Sequence, residues 1–283
     1  ALPILGIISF IKQLKNSNQE TEKFKNIDKS VNDSKYIKIC ILIISNSNIN
    51  NTRWNKERKI FKKYMSLYKP FVKCKFIECG NKDIIENDKI INNCTESFIP
   101  GIYQKTIKSL SKIKNKFDFY IRTNLSTFII FEHLINRLIP FKNIKNPLYL
   151  GDPNYDKNNI PPWDKTLIHP WSSGTCIILN NEACNILINN GFKEKYYNSK
   201  IPDDVLIGKI LYENEVIIDK IKSKNLNYNN SSNISPLIKT IDNIEKHIEL
   251  INTDLIAFIR LKEVDINIYL YLLKYYYNLK LNI

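Results

Sequence analysis

The chain holds only seven glycines in 283 residues, one methionine and three histidines. So little glycine leaves no material for a glycine-rich phosphate cradle. Neither GxGxxG nor GxxxxGK[ST] occurs, which removes the main support for dinucleotide-binding and P-loop folds. The six cysteines (Cys40, Cys74, Cys79, Cys94, Cys176, Cys184) form no CxxC pair, and His133, His169 and His247 lack ligand spacing, so zinc is not expected. No run reaches the ~18 apolar residues of a membrane-spanning helix. The longest candidate, Ala1–Ile11, is broken by Pro3 and Gly6. It reads either as a trimmed anchor or signal remnant, or as an apolar leader or packed helix.

Acidic residues are also scarce: Lys+Arg number 42 against 28 Asp+Glu, a formal net charge of +14. Such a field attracts phosphate-bearing partners. Lys, Asn and Ile are over-used everywhere, however, as codon bias in an AT-rich genome would produce. The basic runs Lys56–Lys63 and Lys105–Lys116 have helical spacing and read as solvated helix faces. With no zinc-finger, RRM or KH signature, a nucleic-acid partner is not expected. At 43% hydrophobic and 25% charged the chain is globular in composition, and long enough to bury a core without a staple. Cys40 and Cys176 lie in apolar strands and read as buried. Whether Cys79 and Cys94 pair, as an oxidising compartment would allow, is left open.

Residues 1–35 contain a polar stretch without an apolar face and read as a leader, stem or linker. Tyr36–Ser45 (YIKICILIIS) is a β-branched run of the kind found in a parallel strand buried on both faces. The pattern then predicts a helix over Arg53–Tyr68 stopped by Pro70, a strand over Val72–Cys79, a helix over Ile102–Lys114 and a strand over Phe117–Arg122. A helix over Thr127–Leu138, a strand near Leu148–Leu150 and a loop over Gly151–Trp171 follow. Thr175–Leu179 reads as a strand; Glu182–Asn190, Asp203–Tyr212 and the apolar, aromatic Asp265–Leu279 read as helices. Alternation of this kind argues for an α/β fold with a mostly parallel central sheet flanked by helices.

In such sheets ligands bind beyond the carboxyl ends of the strands, and three of those ends carry polar clusters. Ser45-Asn46-Ser47, with Thr52, Arg53 and Arg58 at the next helix, suits a nucleotide diphosphate. Arg122-Thr123-Asn124-Leu125-Ser126 offers neutral oxygens beside a cation, but on composition alone reads as a turn and helix N-cap. In Pro202-Asp203-Asp204-Val205 the adjacent acids either answer the helix dipole or supply a general base.

Several segments in order resemble the β-1,3-galactosyltransferase/Fringe-like glycosyltransferases (glycosyltransferase family 31), in a divergent viral or microbial branch. These are Glu86–Ile91 with Glu96-Ser97-Phe98, Lys105-Thr106-Ile107, the Phe119-Tyr120-Ile121 strand, Ser173–Leu179, and Asp203-Asp204-Val205 with Gly208. The resemblance spans roughly residues 36–215. It implies a GT-A-like domain over 36–283, with a nucleotide-sugar half (36–150) and an acceptor half with the C-terminal helix (151–283). It also implies inverting transfer from a UDP-sugar to a hydroxyl of a glycan or glycoprotein acceptor. By the motif, Asp204 is the expected base with Asp203 in reserve. Ser45, Asn46, Thr52, Arg53, Arg58, Lys105, Arg122, Thr123, Asn124 and Ser126 fall on the donor side. Tyr155, Trp163, Trp171, Ser173 and Gly174 fall on the acceptor side, the aromatics serving as sugar platforms or as loop anchors.

The family's DDD, which holds a divalent Mn²⁺ or Mg²⁺, aligns with Asn124-Leu125-Ser126, where no carboxylate remains. Metal dependence is therefore expected to be weak or absent, with Arg122, and Arg53 or Lys105, neutralising the diphosphate. The lost acids also raise a second expectation, a degenerate domain that binds nucleotide or glycan without turnover. A trimmed anchor would put the chain in the secretory-pathway lumen with membrane association through the leader; otherwise it belongs in the cytoplasm, including a viral factory of an infected host.

Overall fold

The structure, a computed structural model, describes residues 36–46, 50–69, 71–154, 169–224, 226, 228–230, 255–259, 261 and 266–281. The chain divides into two compact units, Ala1–Ile37 and Lys38–Ile283. The elements of the second, in chain order, are β1 (Ile39–Ile44), α1 (Thr52–Tyr64), β2 (Val72–Gly80), β3 (Ile84–Ile85), β4 (Lys89–Asn93), α2 (Gly101–Ile113) and β5 (Phe119–Asn124). They continue as β6 (Phe128–Ile129), α3 (Phe131–Leu138), β7 (Tyr149–Asn154), β8 (Trp171–Asn180), α4 (Asn181–Gly191), α5 (Glu194–Tyr197) and α6 (Asp203–Tyr212). Last come α7 (Lys220–Lys224), β9 (Tyr228–Asn230), β10 (Ala257–Ile259) and α8 (Ile266–Tyr277).

Seven strands form the main sheet in the order β3-β4-β2-β1-β5-β8-β7. The four strands β4, β2, β1 and β5 run parallel, while β3 and β8 run against them and β7 runs with them. The α/β expectation of a mostly parallel sheet flanked by helices therefore holds. β1 sits at its centre because Ile39–Ile43 can be buried on both faces at once. On one face, Cys40, Leu42 and Tyr120 pack with Ile107 and Leu110 of α2, Leu187 of α4 and Leu206 of α6. The opposite face meets α1, where Phe61 packs edge-on against Phe76 of β2.

Pairing register decides which side chains reach the first of these faces. Leu42 lies opposite Arg122 in the β1–β5 pair, and Arg122 lies opposite Ile177 in the β5–β8 pair. Leu42 and Ile177 belong to the cluster under α2, α4 and α6. Arg122 is therefore a cation aimed into a helix-covered face, and it needs a partner there.

Several boundaries differ from the sequence pattern. The helix expected over Thr127–Leu138 starts only at Phe131, since Phe128 and Ile129 form β6 and pair with β10 in a three-stranded sheet. That pairing comes from far along the chain, and local spacing cannot announce it. Ser126 is accordingly not the helix cap; Ile130 holds that position without a side-chain bond. The loop expected over Gly151–Trp171 is strand at both ends, in β7 and β8. Pro70, Tyr155 and Trp163 lie outside the described residues. Cys79 and Cys94 form a disulfide with their Cα atoms 5.0 Å apart, which fastens the end of β2 to the segment after β4.

The C-terminal helix α8 packs inward, as its composition suggests, through Ile268, Tyr269, Leu272 and Leu273. Among the described residues no helix is long and apolar enough to cross a membrane. Tyr277 stacks on Tyr64 at 4.9 Å between ring centroids, and its hydroxyl donates to the Ile129 carbonyl at 2.6 Å. Tyr64 also meets Phe128 and Phe131, at 5.0 and 5.3 Å. This fully buried ring joins α1, β6, α3 and α8. Replacing it with alanine is expected to cost about 3–5 kcal/mol in urea unfolding, while Tyr64→Phe costs under about 1 kcal/mol.

Candidate active site

A cavity of about 640 Å³ opens at the rim formed by the carboxyl ends of β1 and β5 and the start of β8. Ile44, Ser45 and Asn46 line it from β1, Asn124–Ser126 from β5, and Ser173–Thr175 from β8. Ile102 and Lys105 of α2 and Asp203 and Asp204 of α6 complete one wall. Trp54 and Glu57 of α1 and the Glu96–Phe98 segment form the rest. Such a cavity is within the usual range for small-molecule sites.

At its base, Arg122 Nη2 lies 2.7 Å from Asp203 Oδ2, both side chains 6% exposed. Arg122 Nη1 donates to Asn124 Oδ1 at 3.1 Å. A Cβ on Gly174 would stand 2.6 Å from Arg122 Nη1, so only glycine lets β8 pass this close to the guanidinium. The neighbouring carboxylate is held differently. Asp204 Oδ2 accepts the Gly174 N–H and Oδ1 the Val205 N–H, both at 2.9 Å, at the positive end of α6. Pro202 precedes this helix start, and Gly208 lets α6 close on Trp171, whose Cβ a side chain there would meet at 2.5 Å.

A second polar network ties the Lys105 part of this wall to the Glu96–Phe98 segment. Lys105, 1% exposed, pairs with Glu96 Oε1 and donates to the Ser45 carbonyl at 2.7 Å. Glu96 Oε2 in turn accepts the Cys79 N–H at 3.1 Å, beside the disulfide. Burial pulls the Lys105 ammonium down, and Glu96 opposes that shift. Glu57, buried on α1, is bound by Arg53 Nε at 2.9 Å, and burial pushes its carboxyl upward.

The expected donor-side residues Ser45, Asn46, Lys105, Arg122, Asn124 and Ser126 thus meet at one cavity, together with Ser173, Gly174, Asp203 and Asp204. Others do not reach it. Thr52 is exposed on α1 away from the cavity lining. Arg53 is spent on Glu57 and on the Leu261 carbonyl, 2.6 Å away. Arg58 pairs with Glu78 and lies over the Phe76 ring. Thr123 turns to the other face and donates to the Thr175 carbonyl at 2.7 Å. Trp171 is buried against Val205 and Ile201, which makes it a loop anchor rather than a sugar platform.

Sequence reasoning missed Trp54, Glu57 and Phe98 as lining residues, and gave Glu96 no role. Trp54 is 38% and Phe98 69% exposed, unusual for large aromatic side chains. The i,i+4 spacing of Arg53 and Glu57 was the signal available for Glu57. The charge balance also departs from the expectation of a cation-lined cleft. Among the described residues, four carboxylates (Glu57, Glu96, Asp203, Asp204) face two cations (Lys105, Arg122), and each cation already has a carboxylate partner.

A divalent ion at Asn124 and Ser126 does not fit this donor set. The Asn124 amide oxygen accepts from a guanidinium, which would repel a metal ion, and Ser126 adds only a neutral oxygen. Among the described residues no group of three or more His, Cys, Asp or Glu is placed to hold a metal.

No family profile and no curated protein matches the chain. Among solved structures it is similar to a glycosyltransferase involved in the glycosylation of the major capsid of PBCV-1, at 12% identity and a TM-score of 0.40, over 81% of this chain and 97% of that one. It is also similar to an active-site mutant of LgtC, at 9% identity and a TM-score of 0.41, over 78% of this chain and 86% of that one. Likeness of this degree carries no functional argument, so the site must be read from its own residues.

Burial, offset by Arg122 and reinforced by Asp204, pushes the Asp203 carboxyl up to about 6. The folded state then holds a proton that the unfolded chain releases near its ordinary value of 3.8. Stability from this group is full below about pH 4 and falls as pH rises to about 6. Urea unfolding from pH 4 to 7 is expected to show that decline in the difference between the wild-type chain and Asp203→Asn.

Proposed function

We propose that the protein is a GT-A-like glycosyltransferase resembling family 31, which moves a hexose from a UDP-sugar to a hydroxyl of a glycan or glycoprotein acceptor with inversion. The observation that carries this reading is the Asp203–Asp204 pair in the wall of a cavity at the carboxyl ends of β1 and β5, with Gly174 and Arg122 in contact with it. Paired carboxylates in unlike environments divide acid–base roles. Asp204 is half-buried and held by two backbone N–H groups, with lone pairs to spare for an acceptor hydroxyl. It serves as the general base. Asp203 is buried against Arg122 and sets that cation's position.

In the proposed step the acceptor oxygen attacks the anomeric carbon from the face opposite the diphosphate. Its proton passes to Asp204, the bond from the anomeric carbon to the diphosphate oxygen breaks, and UDP leaves with the electron pair. Arg122 meets the charge that develops on the diphosphate. Ser45 and Asn46 line the donor side. Ser173 lines the acceptor side, where Tyr155 and Trp163 remain proposals from the sequence.

Asp204→Asn is expected to lower transfer by roughly 10²- to 10⁴-fold while nucleotide-sugar affinity, read by thermal shift, stays within about threefold. A second reading, a binding domain without turnover, is favoured by the missing carboxylate at Asn124-Leu125-Ser126. It predicts nucleotide-sugar affinity with no transfer in the wild-type chain. Since the donor set at Asn124 suits no divalent ion, EDTA is expected to leave transfer unchanged. Activity lost to EDTA and restored by Mn²⁺ would overturn that arginine-based neutralisation.

A further inference from the structure

The Arg122–Asp203 contact is close but incompletely bonded. It joins one nitrogen, Nη2, to one oxygen, Oδ2, at 2.7 Å, and Arg122 Nε finds no hydrogen-bond acceptor among the described residues, although both residues are more than nine-tenths buried. Another buried atom, Ser45 Oγ, has no hydrogen-bond partner among the described residues and belongs to the same cavity lining. Buried ion pairs are firm when every donor and acceptor is satisfied, and this one leaves the Arg122 Nε donor over. The guanidinium divides its two contacts between Asp203 and the neutral Asn124 amide, whereas a diphosphate offers two-point contact from one anionic partner.

The geometry points to Asp203 as a resident counter-ion that an incoming diphosphate displaces from Arg122, the Asp203 carboxylate taking up one proton from solvent as its cation turns away. The inference rests on the donor reading above and deepens it, since it makes donor binding a proton-coupled exchange of partners. The charged and titratable groups facing Asp203 are Arg122 from β5, Lys105 from α2, the Tyr149 phenol from β7, and Asp204 beside it on α6. Lys105 is committed to Glu96 and the Ser45 carbonyl. Tyr149 is kept neutral by burial, and Asp204 repels a second negative charge. Once the guanidinium is engaged by phosphate oxygens, no uncommitted cation among the described residues is left to face Asp203. A buried carboxylate in that position neutralises rather than stays charged. The balance is one proton from bulk water to one Asp203 oxygen for each ligand bound, with no covalent bond made or broken.

The test is isothermal titration of the full chain with UDP-glucose, whose diphosphate diester does not titrate near neutrality, in two buffers of different ionisation enthalpy. Sulfate serves as a second, sugar-free probe. At pH 7 the expected uptake is roughly 0.8 proton per nucleotide, falling toward zero at pH 5 where Asp203 already carries its proton. Asp203→Asn, which mimics the protonated acid, is expected to bind UDP-glucose on the order of tenfold tighter, because Arg122 is no longer occupied, and without proton uptake. Arg122→Gln is expected to lose both affinity and uptake. UDP-glucose binding without proton uptake, or an Asp203→Asn chain that binds no tighter, overturns the exchange and leaves the donor reading standing. Sulfate binding coupled to uptake, with no binding of UDP-glucose, supports the exchange and removes the donor reading. Failure of both probes to bind overturns both.

Discussion

A buried guanidinium on a sheet face must be answered by a carboxylate from the layer above it. Arg122 lies in β5 between Leu42 and Ile177, so the pleat delivers its charge into the same layer as the apolar cluster under α2, α4 and α6. The carboxylate comes from the first residue of α6. That single requirement orders much of the site. It brings the start of α6 down onto β8, and it demands a residue without a side chain where β8 crosses the guanidinium, which Gly174 supplies. It also places the second acid, Asp204, against the Gly174 N–H.

The same pair changes how the cavity's charge is understood. A chain of net charge +14 suggests a cationic cleft for phosphate, yet among the described residues the cavity lining carries twice as many carboxylates as cations. The excess positive charge lies elsewhere, on helix faces such as α1 with Lys56, Lys59, Lys62 and Lys63. Lys105 and Arg122 enter the cavity only through their acidic partners. On the proposed donor reading, phosphate recognition there is a competition between carboxylate and ligand for the same cation rather than attraction to an open positive surface. Lys105 is the more firmly held of the two, since its ammonium also reaches the Ser45 carbonyl and its partner Glu96 is tied to the Cys79 N–H.

What could be read in the sequence follows from how local each signal is. The Ile39–Ile44 strand and the α2, α4, α6 and α8 helices announce themselves by composition and spacing within a few residues. So does the acidic start of α6, because adjacent aspartates after a proline are a local feature. β6 escaped, since Phe128 and Ile129 become strand only by pairing with Ala257 and Phe258, and their own pattern suits a helix as well. Arg58 and Thr123 were assigned to the donor side by position, and only tertiary packing sends one to Glu78 and the other to the Thr175 carbonyl. Glu96 sits in a loop whose placement depends on the Cys79–Cys94 disulfide, a pairing that spacing left open. Composition gave the sheet; the partners of individual charges needed the register.

If the arginine at the base of the cavity is the group that receives a sugar donor's diphosphate, a crystal structure of the chain with an intact UDP-sugar displays it most directly. The expected result has diphosphate oxygens on Arg122, Asp203 released from that contact, and Asp204 beside the sugar's anomeric face. A nucleotide bound elsewhere, or a diphosphate in the cavity that leaves the Arg122–Asp203 contact at 2.7 Å untouched, would contradict it.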